Sequence, residues 1–290
     1  MSFLDRIGEA NARTSDDFLP LVVDDRRLGW LRPAFAERLA AHPGVFRVED
    51  GAVRFAAALA AAGAAHRSAA VAEVLAELRA AGVIRGWRDE LFPVSTSWSA
   101  APAFLIERAA VPHFGAGGHG VHLNGWVRRG TQVHMWVARR ARHKPTWPGL
   151  LDQIAAGGQP AGIGLRENMI KESAEEAGIP RPIAERMHAA GAVTYVLETE
   201  DGLRPDTVYV FDLELPGSFE PRNTDGEVEA FELLPIEEVA AMVRDGTGFK
   251  FNCSLVVIDF LIRHGLLDER EPDYVAIVRG LRAAGGDPAP

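Results

Sequence analysis

The chain contains little cysteine, with Cys253 as the single example in 290 residues. One cysteine excludes an intramolecular disulfide and a zinc site built from cysteines. Cys253 begins the apolar run Cys-Ser-Leu-Val-Val-Ile, which indicates a buried structural thiol. Long hydrophobic runs are also missing, since no stretch approaches the roughly 18 apolar residues of a membrane span. The first residues lack the basic start and apolar run of a signal peptide. We therefore expect a cytoplasmic protein without a membrane partner.

Positive charge is scarce as well. The sequence has 31 basic and 40 acidic residues, a net charge of −9 at pH 7. A chain of this balance is a poor candidate for binding nucleic acid or bare polyphosphate by electrostatics alone, and we expect no nucleic-acid partner. If the protein acts on phosphates, another component must supply positive charge.

Size and composition are those of an ordinary globular protein. Hydrophobic residues make up 47% of the chain and charged residues 24%, and 290 residues favour two domains. The glycine-rich segment 115–120 is the best candidate for a boundary. We therefore predict a smaller α+β accessory domain over residues 1–112 and a second domain over residues 113–290.

The segment 115–120, Gly-Ala-Gly-Gly-His-Gly, also matches the spacing of a dinucleotide-binding fingerprint. That fingerprint needs a helix after the glycines, whereas residues 121–127 alternate like a strand. A flexible connection is the preferred interpretation, and a nicotinamide-dependent oxidoreductase is disfavoured. His119 and His122 lack further metal ligands at suitable spacing, so ordinary hydrogen-bonded histidines are expected.

Strands and helices follow in both parts of the chain. A hairpin is predicted where strands 45–48 and 52–55 flank Glu49-Asp50-Gly51. Later, strands are expected near 132–139, 193–198, 208–215 and 228–234, and helices near 235–243 and 255–264. This order predicts an α/β or α+β sandwich.

The most informative segment is residues 157–179, a glycine-rich loop followed by one helix and a loop. The helix is predicted to begin near Gly164 and to end at Gly178, with Pro180 preventing continuation. Residues three and four apart lie about 5–6 Å apart on a helix, so Glu172, Glu175 and Glu176 converge on one face.

Three carboxylates on one face suit a hard cation such as Mg²⁺ or Mn²⁺, which would supply the missing positive charge. The alternative is a solvated acidic face in which Lys171 and Glu175 form an ordinary i,i+4 ion pair. The full pattern of a basic residue, three acids and two glycines at fixed offsets favours the metal site.

These residues resemble the Nudix box, G-x5-E-x7-R-E-U-x-E-E-x-G-U, from Gly157 to Ile179. The resemblance implies an α/β/α sandwich with a mixed sheet that binds divalent metal and hydrolyses a diphosphate. By the same resemblance Glu172, Glu175 and Glu176 are metal ligands. Lys171 stands where the family has arginine, which keeps the charge but loses the bidentate fork.

Two positions depart from the family pattern. Ile163 occupies the position of the first glutamate and Ser173 an apolar position. Glu167, one helical turn after Ile163, is a conjectural replacement.

The segments 120–127, 147–152 and 225–231 are similar to the thiamine pyrophosphokinase-related Nudix subgroup, which has an extra N-terminal domain of about this length. The subgroup implies hydrolysis of damaged, oxidised thiamine diphosphate to the monophosphate. Catalytic candidates are Lys171 and the three glutamates of the helix. Glu227 and Glu229 are candidates for a general base or a further metal ligand, with a polar strand edge as the equal alternative.

Substrate-binding candidates are Gly157 and Gly158 of the loop and Trp147. Trp126, Trp136 and Trp147 could stack on a substrate ring, although a place in the core is at least as plausible. The alternative function is a non-catalytic Nudix domain that binds a nucleotide or another ligand. The oligomeric state is left open, with a homodimer as one option.

Overall fold

A computed structural model describes residues 1–14, 17–144 and 146–282 of the chain. Over these residues the helices are α1 (Phe3–Ala10), α2 (Pro33–Ala40), α3 (Ala57–Ala60), α4 (Ala64–Ala80), α5 (Val111–Phe114), α6 (Leu165–Ala177), α7 (Arg181–Ala184), α8 (Ile236–Asp245), α9 (Phe251–Arg263) and α10 (Tyr274–Gly280). The strands are β1 (Leu19–Val23), β2 (Arg26–Leu31), β3 (Phe46–Glu49), β4 (Ala52–Phe55), β5 (Leu91–Val94), β6 (Phe104–Glu107), β7 (His119–Arg129), β8 (Gln132–Arg140), β9 (Leu151–Gln153), β10 (Ala155–Gly158), β11 (His188–Thr199), β12 (Gly202–Glu214) and β13 (Val228–Pro235). A 3₁₀ turn spans Arg108–Ala110.

The first part of the chain builds a four-stranded sheet and a separate hairpin. The sheet has the order β2-β1-β4-β3, and β5 pairs with β6. The predicted hairpin is confirmed, because β3 and β4 pair antiparallel and Gly51 adopts a φ of 70° in the turn. Helices α2 and α4 cover a core that includes Leu21, Phe46 and Val71.

The second part is a seven-stranded mixed sheet between two layers of helices. Its main order is β11-β12-β7-β8-β13, with β10 added to β7 and β9 to β8. The central strands β7 and β12 run parallel, and the other pairs are antiparallel. Helix α6 packs on one face, while α8 and α9 pack on the other, each over its own apolar core. The expected fold class, an α/β/α sandwich preceded by a smaller α+β unit, is confirmed.

Helix α1 lies in the predicted N-terminal domain by sequence, but it packs against helices of the second part of the chain. Its apolar residues Phe3 and Ile7 are buried beside Val239 and Ile277, in the core under α8, α9 and α10. Because α1 is amphipathic, burial of its apolar face in this core is more favourable than exposure of that face to solvent. The domain boundary at residue 112 stays a prediction. Helix α1 precedes this boundary in sequence but packs with the residues that follow it. The last residues of the second predicted domain, 283–290, lie outside the described part of the chain.

The glycine-rich segment before β7 is tightly packed, so the expectation of a flexible connection is wrong. A Cβ on Gly115 would lie 2.1 Å from the carbonyl oxygen of Trp30, and one on Gly118 would lie 2.3 Å from Asp206 Oδ1. These glycines allow close approach of backbone and side chain. The strand expected after them begins at His119.

Within the described residues, no helix has both the length and the apolar character that crossing a membrane requires.

Candidate metal and substrate site

Helix α6 carries the acidic side chains, and its ends lie where the sequence predicts. Gly164 is the N-cap residue, and Gly178 closes the helix in the left-handed conformation with a φ of 62°. Gly178 suits its position because the left-handed conformation after a helix is sterically easiest for glycine. Gly164 has an extended backbone, and glycine is also common at an N-cap. Met169 and Ile170 face the sheet, so the helix is held against β7 and β10.

Glu176 projects into the interface between α6 and the sheet. It is 7% exposed, and its Oε2 accepts a hydrogen bond of 2.7 Å from the backbone N–H of Ala156 in β10. Burial raises the pKa of Glu176 well above its usual value, and the nearby carboxylates of Asp152 and Glu172 add to this rise. Glu176 is therefore a buried acid that a cation would stabilise in its charged form.

Glu172 lies one turn earlier and touches the same strand. A Cβ on Gly157 would lie 2.3 Å from Glu172 Cδ, so the carboxylate rests on the backbone of β10. Burial raises the pKa of Glu172, whereas the ammonium group of Lys171 opposes that rise.

A loop far away in the sequence brings two more carboxylates to Glu176. Oxygen atoms of Glu176, Asp225 and Glu227 all lie within 4.8 Å of one another. The loop before β13 is shaped by Asn223, whose Oδ1 accepts hydrogen bonds from the N–H groups of Asp225 and Gly226. Sequence reasoning selected Glu227 and missed Asp225, although Asp225-Gly226-Glu227 is a recognisable acidic turn.

These residues fit a divalent metal ion. All the donors are carboxylate oxygens, the donor type that Mg²⁺ and Mn²⁺ prefer. The raised pKa of buried Glu176 shows that its negative charge lacks full compensation from the protein.

Cationic side chains surround this cluster, although the chain is acidic overall. Lys144, 15% exposed, bonds to Glu227 through its Nζ, and Arg140 Nη1 lies 2.9 Å from Asp152 Oδ2. Burial alone would raise the pKa of Glu227, but Lys144 and further cations hold it below its usual value. Lys144 and Arg140 both come from the basic stretch 139–144, Arg-Arg-Ala-Arg-His-Lys, a signal from which cations near the acidic residues could have been predicted.

Glu175 occupies a different position from Glu172 and Glu176. Its side chain is 46% exposed, and its Oε2 lies 2.6 Å from Lys171 Nζ. The i,i+4 pair of the alternative interpretation is thus present, and Lys171 also contacts Glu172 at 3.3 Å. The carboxylate of Glu175 lies outside the group formed by Glu176, Asp225 and Glu227.

Two other acidic residues that the sequence suggested for the site form ion pairs outside the cluster. Glu229 lies 3.5 Å from Arg142 and is 41% exposed. Glu167 accepts two hydrogen bonds from Arg181, at 2.7 and 2.8 Å. Because a helix rises about 1.5 Å per residue, Glu167 is roughly 13 Å from Glu176 along α6. The structure does not bring Glu167 into the cluster in place of the glutamate missing at Ile163.

The three tryptophan candidates differ in their exposure to solvent. Trp126 is 5% exposed and belongs to the core, and Trp136 packs against the core on the α6 side of the sheet. Trp147 is 37% exposed and packs on the Phe251 ring with centroids 5.2 Å apart. Trp147 therefore keeps an accessible surface. In β10, Gly157 lies against Glu172, whereas Gly158 lies against Phe92 and Arg108.

A buried polar group lies beside the acidic cluster. Cys253 donates to Asp152 Oδ1 at 2.8 Å, and His122 Nδ1 lies 2.7 Å from Gln153 Oε1. The expected buried thiol and the expected hydrogen-bonded His122 are both confirmed. Burial lowers the pKa of His122 to about 4. Arg140 and Lys250 flank Asp152, at 2.9 and 3.8 Å, and two adjacent cations disfavour a metal ion there.

Family models match both parts of the chain. A domain of unknown function (DUF4743) matches residues 2–117, and the NUDIX domain matches residues 119–251. The chain is 40% identical to Nudix hydrolase 20, chloroplastic, and 39% identical to Nudix hydrolase 24, chloroplastic, both of Arabidopsis thaliana. Each alignment covers 97% of this chain and 77% of the relative. Among solved structures, the NUDIX domain of Shewanella oneidensis NrtR complexed with ADP ribose is similar with a TM-score of 0.41 and 13% identity, over 52% of this chain and 90% of that chain.

These relatives correct one expectation. The cytoplasmic location expected from the sequence is wrong by this comparison, because both plant relatives are named as chloroplastic.

Proposed function

The chain belongs to the Nudix hydrolase family, and from this premise we propose that it hydrolyses a diphosphate linkage in a small molecule with the help of Mg²⁺ or Mn²⁺. Pyrophosphohydrolase activity and the use of divalent metal ions are general in this family. The observation that carries the proposal is the convergence of Glu176, Asp225 and Glu227 oxygens within 4.8 Å, with the largely buried Glu172 one helical turn before Glu176.

The proposed metal ligands come from two elements. Helix α6 provides Glu172 and Glu176, and the loop before β13 provides Asp225 and Glu227. Glu175 is retained as a proposed ligand from the box resemblance, and it would have to release Lys171 to serve. A bound divalent ion would neutralise phosphate charge and acidify the attacking water.

The reaction forms a bond between a water oxygen and one phosphorus while the bridging P–O bond breaks. The leaving phosphate takes the electron pair of the broken bond, and a carboxylate accepts the proton of the water. Glu227 and Glu229 remain the proposed acceptors. Glu227 is the better placed, since it lies in the acidic cluster while Glu229 pairs with Arg142.

For the substrate we propose oxidised thiamine diphosphate, with the monophosphate and inorganic phosphate as products. The support is the similarity of segments 120–127, 147–152 and 225–231 to the thiamine-related subgroup, together with a separate N-terminal domain. Trp147 is the proposed stacking surface for a substrate ring, because part of it is accessible.

The substitution Glu176→Gln tests the metal site, because it keeps the shape of the side chain and removes its charge. We expect phosphate release from the substrate with Mg²⁺ to fall about 100-fold or more. Glu167→Gln is the matched control on the same helix, and it should retain the activity. Equal activity of Glu176→Gln and the unaltered protein would refute the site.

A panel of diphosphates tests the substrate. It should include thiamine diphosphate, its oxidised forms, nucleoside diphosphate sugars and dinucleoside polyphosphates, each with Mg²⁺ and with Mn²⁺. The highest kcat/KM should fall on an oxidised thiamine diphosphate. Binding without metal-dependent phosphate release from any member would instead favour a non-catalytic binding domain.

A further inference from the structure

The hairpin β5–β6 of the first part of the chain packs against the glycine-rich strand of the candidate site. The backbone N–H of Ala161 donates to the carbonyl oxygen of Leu91 at 2.8 Å. A Cβ on Gly158 would lie 3.0 Å from Phe92 Cζ and 3.1 Å from Arg108 Cζ. Residues of the hairpin and of the 3₁₀ turn after it therefore pack against Gly158 of β10, next to Gly157, which Glu172 contacts.

Two contacts fix the position of the Arg108 side chain beside β10. Its Cζ lies 5.7 Å from the centre of the Phe92 ring, and its Nη1 donates to Glu90 Oε2 at 2.8 Å. The side chain is 43% exposed, so part of the guanidinium group faces solvent. Since arginine has five N–H donors and Glu90 takes one, the group keeps donors for a ligand.

Arg108 and Glu172 contact consecutive residues of β10. A Cβ on Gly158 would lie 3.1 Å from Arg108 Cζ, and a Cβ on the adjacent Gly157 would lie 2.3 Å from Glu172 Cδ. The guanidinium group therefore lies one residue along the strand from the position of a proposed metal ligand.

We propose that Arg108 binds a phosphate group of the diphosphate substrate, and that the N-terminal domain thereby completes the active site. The inference rests on the proposed function. A diphosphate carries more negative charge than one divalent ion neutralises, and the planar guanidinium matches two phosphate oxygens. Lys144 and Arg140, from the basic stretch 139–144, are already paired with Glu227 and Asp152. Arg108 keeps N–H donors beyond its bond to Glu90, so it can meet this need.

Calorimetric titration of the full-length protein tests the inference without catalysis. The probe is methylenediphosphonate, a non-hydrolysable diphosphate, with saturating Mg²⁺. We expect Arg108→Ala to raise its Kd about 10- to 100-fold, the usual effect of losing a charge-assisted hydrogen bond. Arg108→Lys should recover part of the affinity, because it keeps the charge without the fork. Arg85→Ala, an exposed arginine of the same domain, is the matched control and should bind like the unaltered protein.

Glu90→Gln separates binding from a structural role. This variant removes the ion pair of Arg108 but leaves its guanidinium group in place. If Arg108 binds phosphate, Glu90→Gln should bind the probe at least as tightly as the unaltered protein. If Arg108 only braces the hairpin, Glu90→Gln should lose affinity as Arg108→Ala does, and the inference fails.

Steady-state kinetics give a second readout. Arg108→Ala should raise KM for the diphosphate substrate more than it lowers kcat, because the lost contact is present before the reaction. Unaltered probe affinity and KM in Arg108→Ala, with activity still lost in Glu176→Gln, would overturn the role of Arg108 and leave the hydrolase proposal standing. Absence of metal-dependent hydrolysis and probe binding in the unaltered protein would overturn both.

Discussion

Gly157 lies so close to Glu172 that a Cβ on this glycine would be 2.3 Å from the carboxyl carbon of Glu172. Such a distance is far below any van der Waals contact, so β10 has room for the carboxylate because residue 157 is glycine. A glycine in one element thereby makes room for a proposed metal-ligating side chain from another.

Gly157→Ala should therefore displace Glu172 while leaving its charge intact. We expect metal-dependent phosphate release to fall about tenfold or more, since a displaced supporting contact typically costs that much. The measurement is kcat/KM with Mg²⁺ together with circular dichroism to check the fold. Gly164→Ala, in the same glycine-rich loop with nothing within 4 Å of its added Cβ, should keep the activity. Full activity of Gly157→Ala would show that the placement of Glu172 does not matter.

Glu227 and Glu175 should differ in their effect on metal affinity. Glu227 shares the cluster with Glu176, whereas Glu175 is bonded to Lys171 and partly exposed. Titration with Mn²⁺, followed by electron paramagnetic resonance, should show about tenfold or greater weakening for Glu227→Gln and a smaller change for Glu175→Gln. The reverse order would mean that Glu175 turns away from Lys171 to bind the ion.

Phe3 should stabilise the second core, although it stands at the start of the chain. It is 5% exposed and packs with the residues under α8 and α9. Removal of a buried phenyl ring typically costs about 3–5 kcal/mol of unfolding free energy. Urea denaturation of Phe3→Ala should show a loss of this size, and Val48→Ala, 42% exposed, should show little change. Similar midpoints for the two variants would exclude the docking of α1.

Stability should fall in mild acid because of His122. Burial lowers its pKa from the ordinary value of 6.5 to about 4 in the folded protein, so the unfolded chain binds a proton first as the pH decreases. The free energy of unfolding should therefore decrease between pH 6.5 and pH 4, by up to about 3 kcal/mol from this residue.

His122→Gln lacks the titrating group and provides the comparison. Urea denaturation at several pH values should show a flatter dependence for this variant than for the unaltered protein below pH 6.5. Parallel curves for the two proteins would mean that His122 does not contribute to the acid sensitivity.

Local signals were sufficient for much of the secondary structure and for the recognition of the box. Gly164 and Gly178 mark the ends of α6 because an N-cap and a left-handed terminus depend on a few adjacent residues. The hairpin around Gly51 follows from its turn residues in the same way. The spacing from Gly157 to Ile179 carried the family resemblance without any tertiary information.

Local signals did not show how α6 is rotated against the sheet. Helical spacing places Glu172, Glu175 and Glu176 near one another, but it does not tell which of them faces β10. Burial of Met169 and Ser173 turns Glu176 inward to Ala156, while Glu175 remains outside with Lys171. The tight packing of the glycines before β7 could not be predicted from local signals either, because Gly115 and Gly118 make their close contacts with residues distant in sequence.

The sequence by itself determined the acidic helix, its family and the net charge of −9. Only the tertiary structure decided that Asp225 joins Glu176, that Lys144 bonds Glu227, and that Arg108 of the first part of the chain lies against Gly158. The physical reason is that side-chain spacing along one helix is set by its local geometry, whereas contacts between separate elements depend on how their apolar faces pack together.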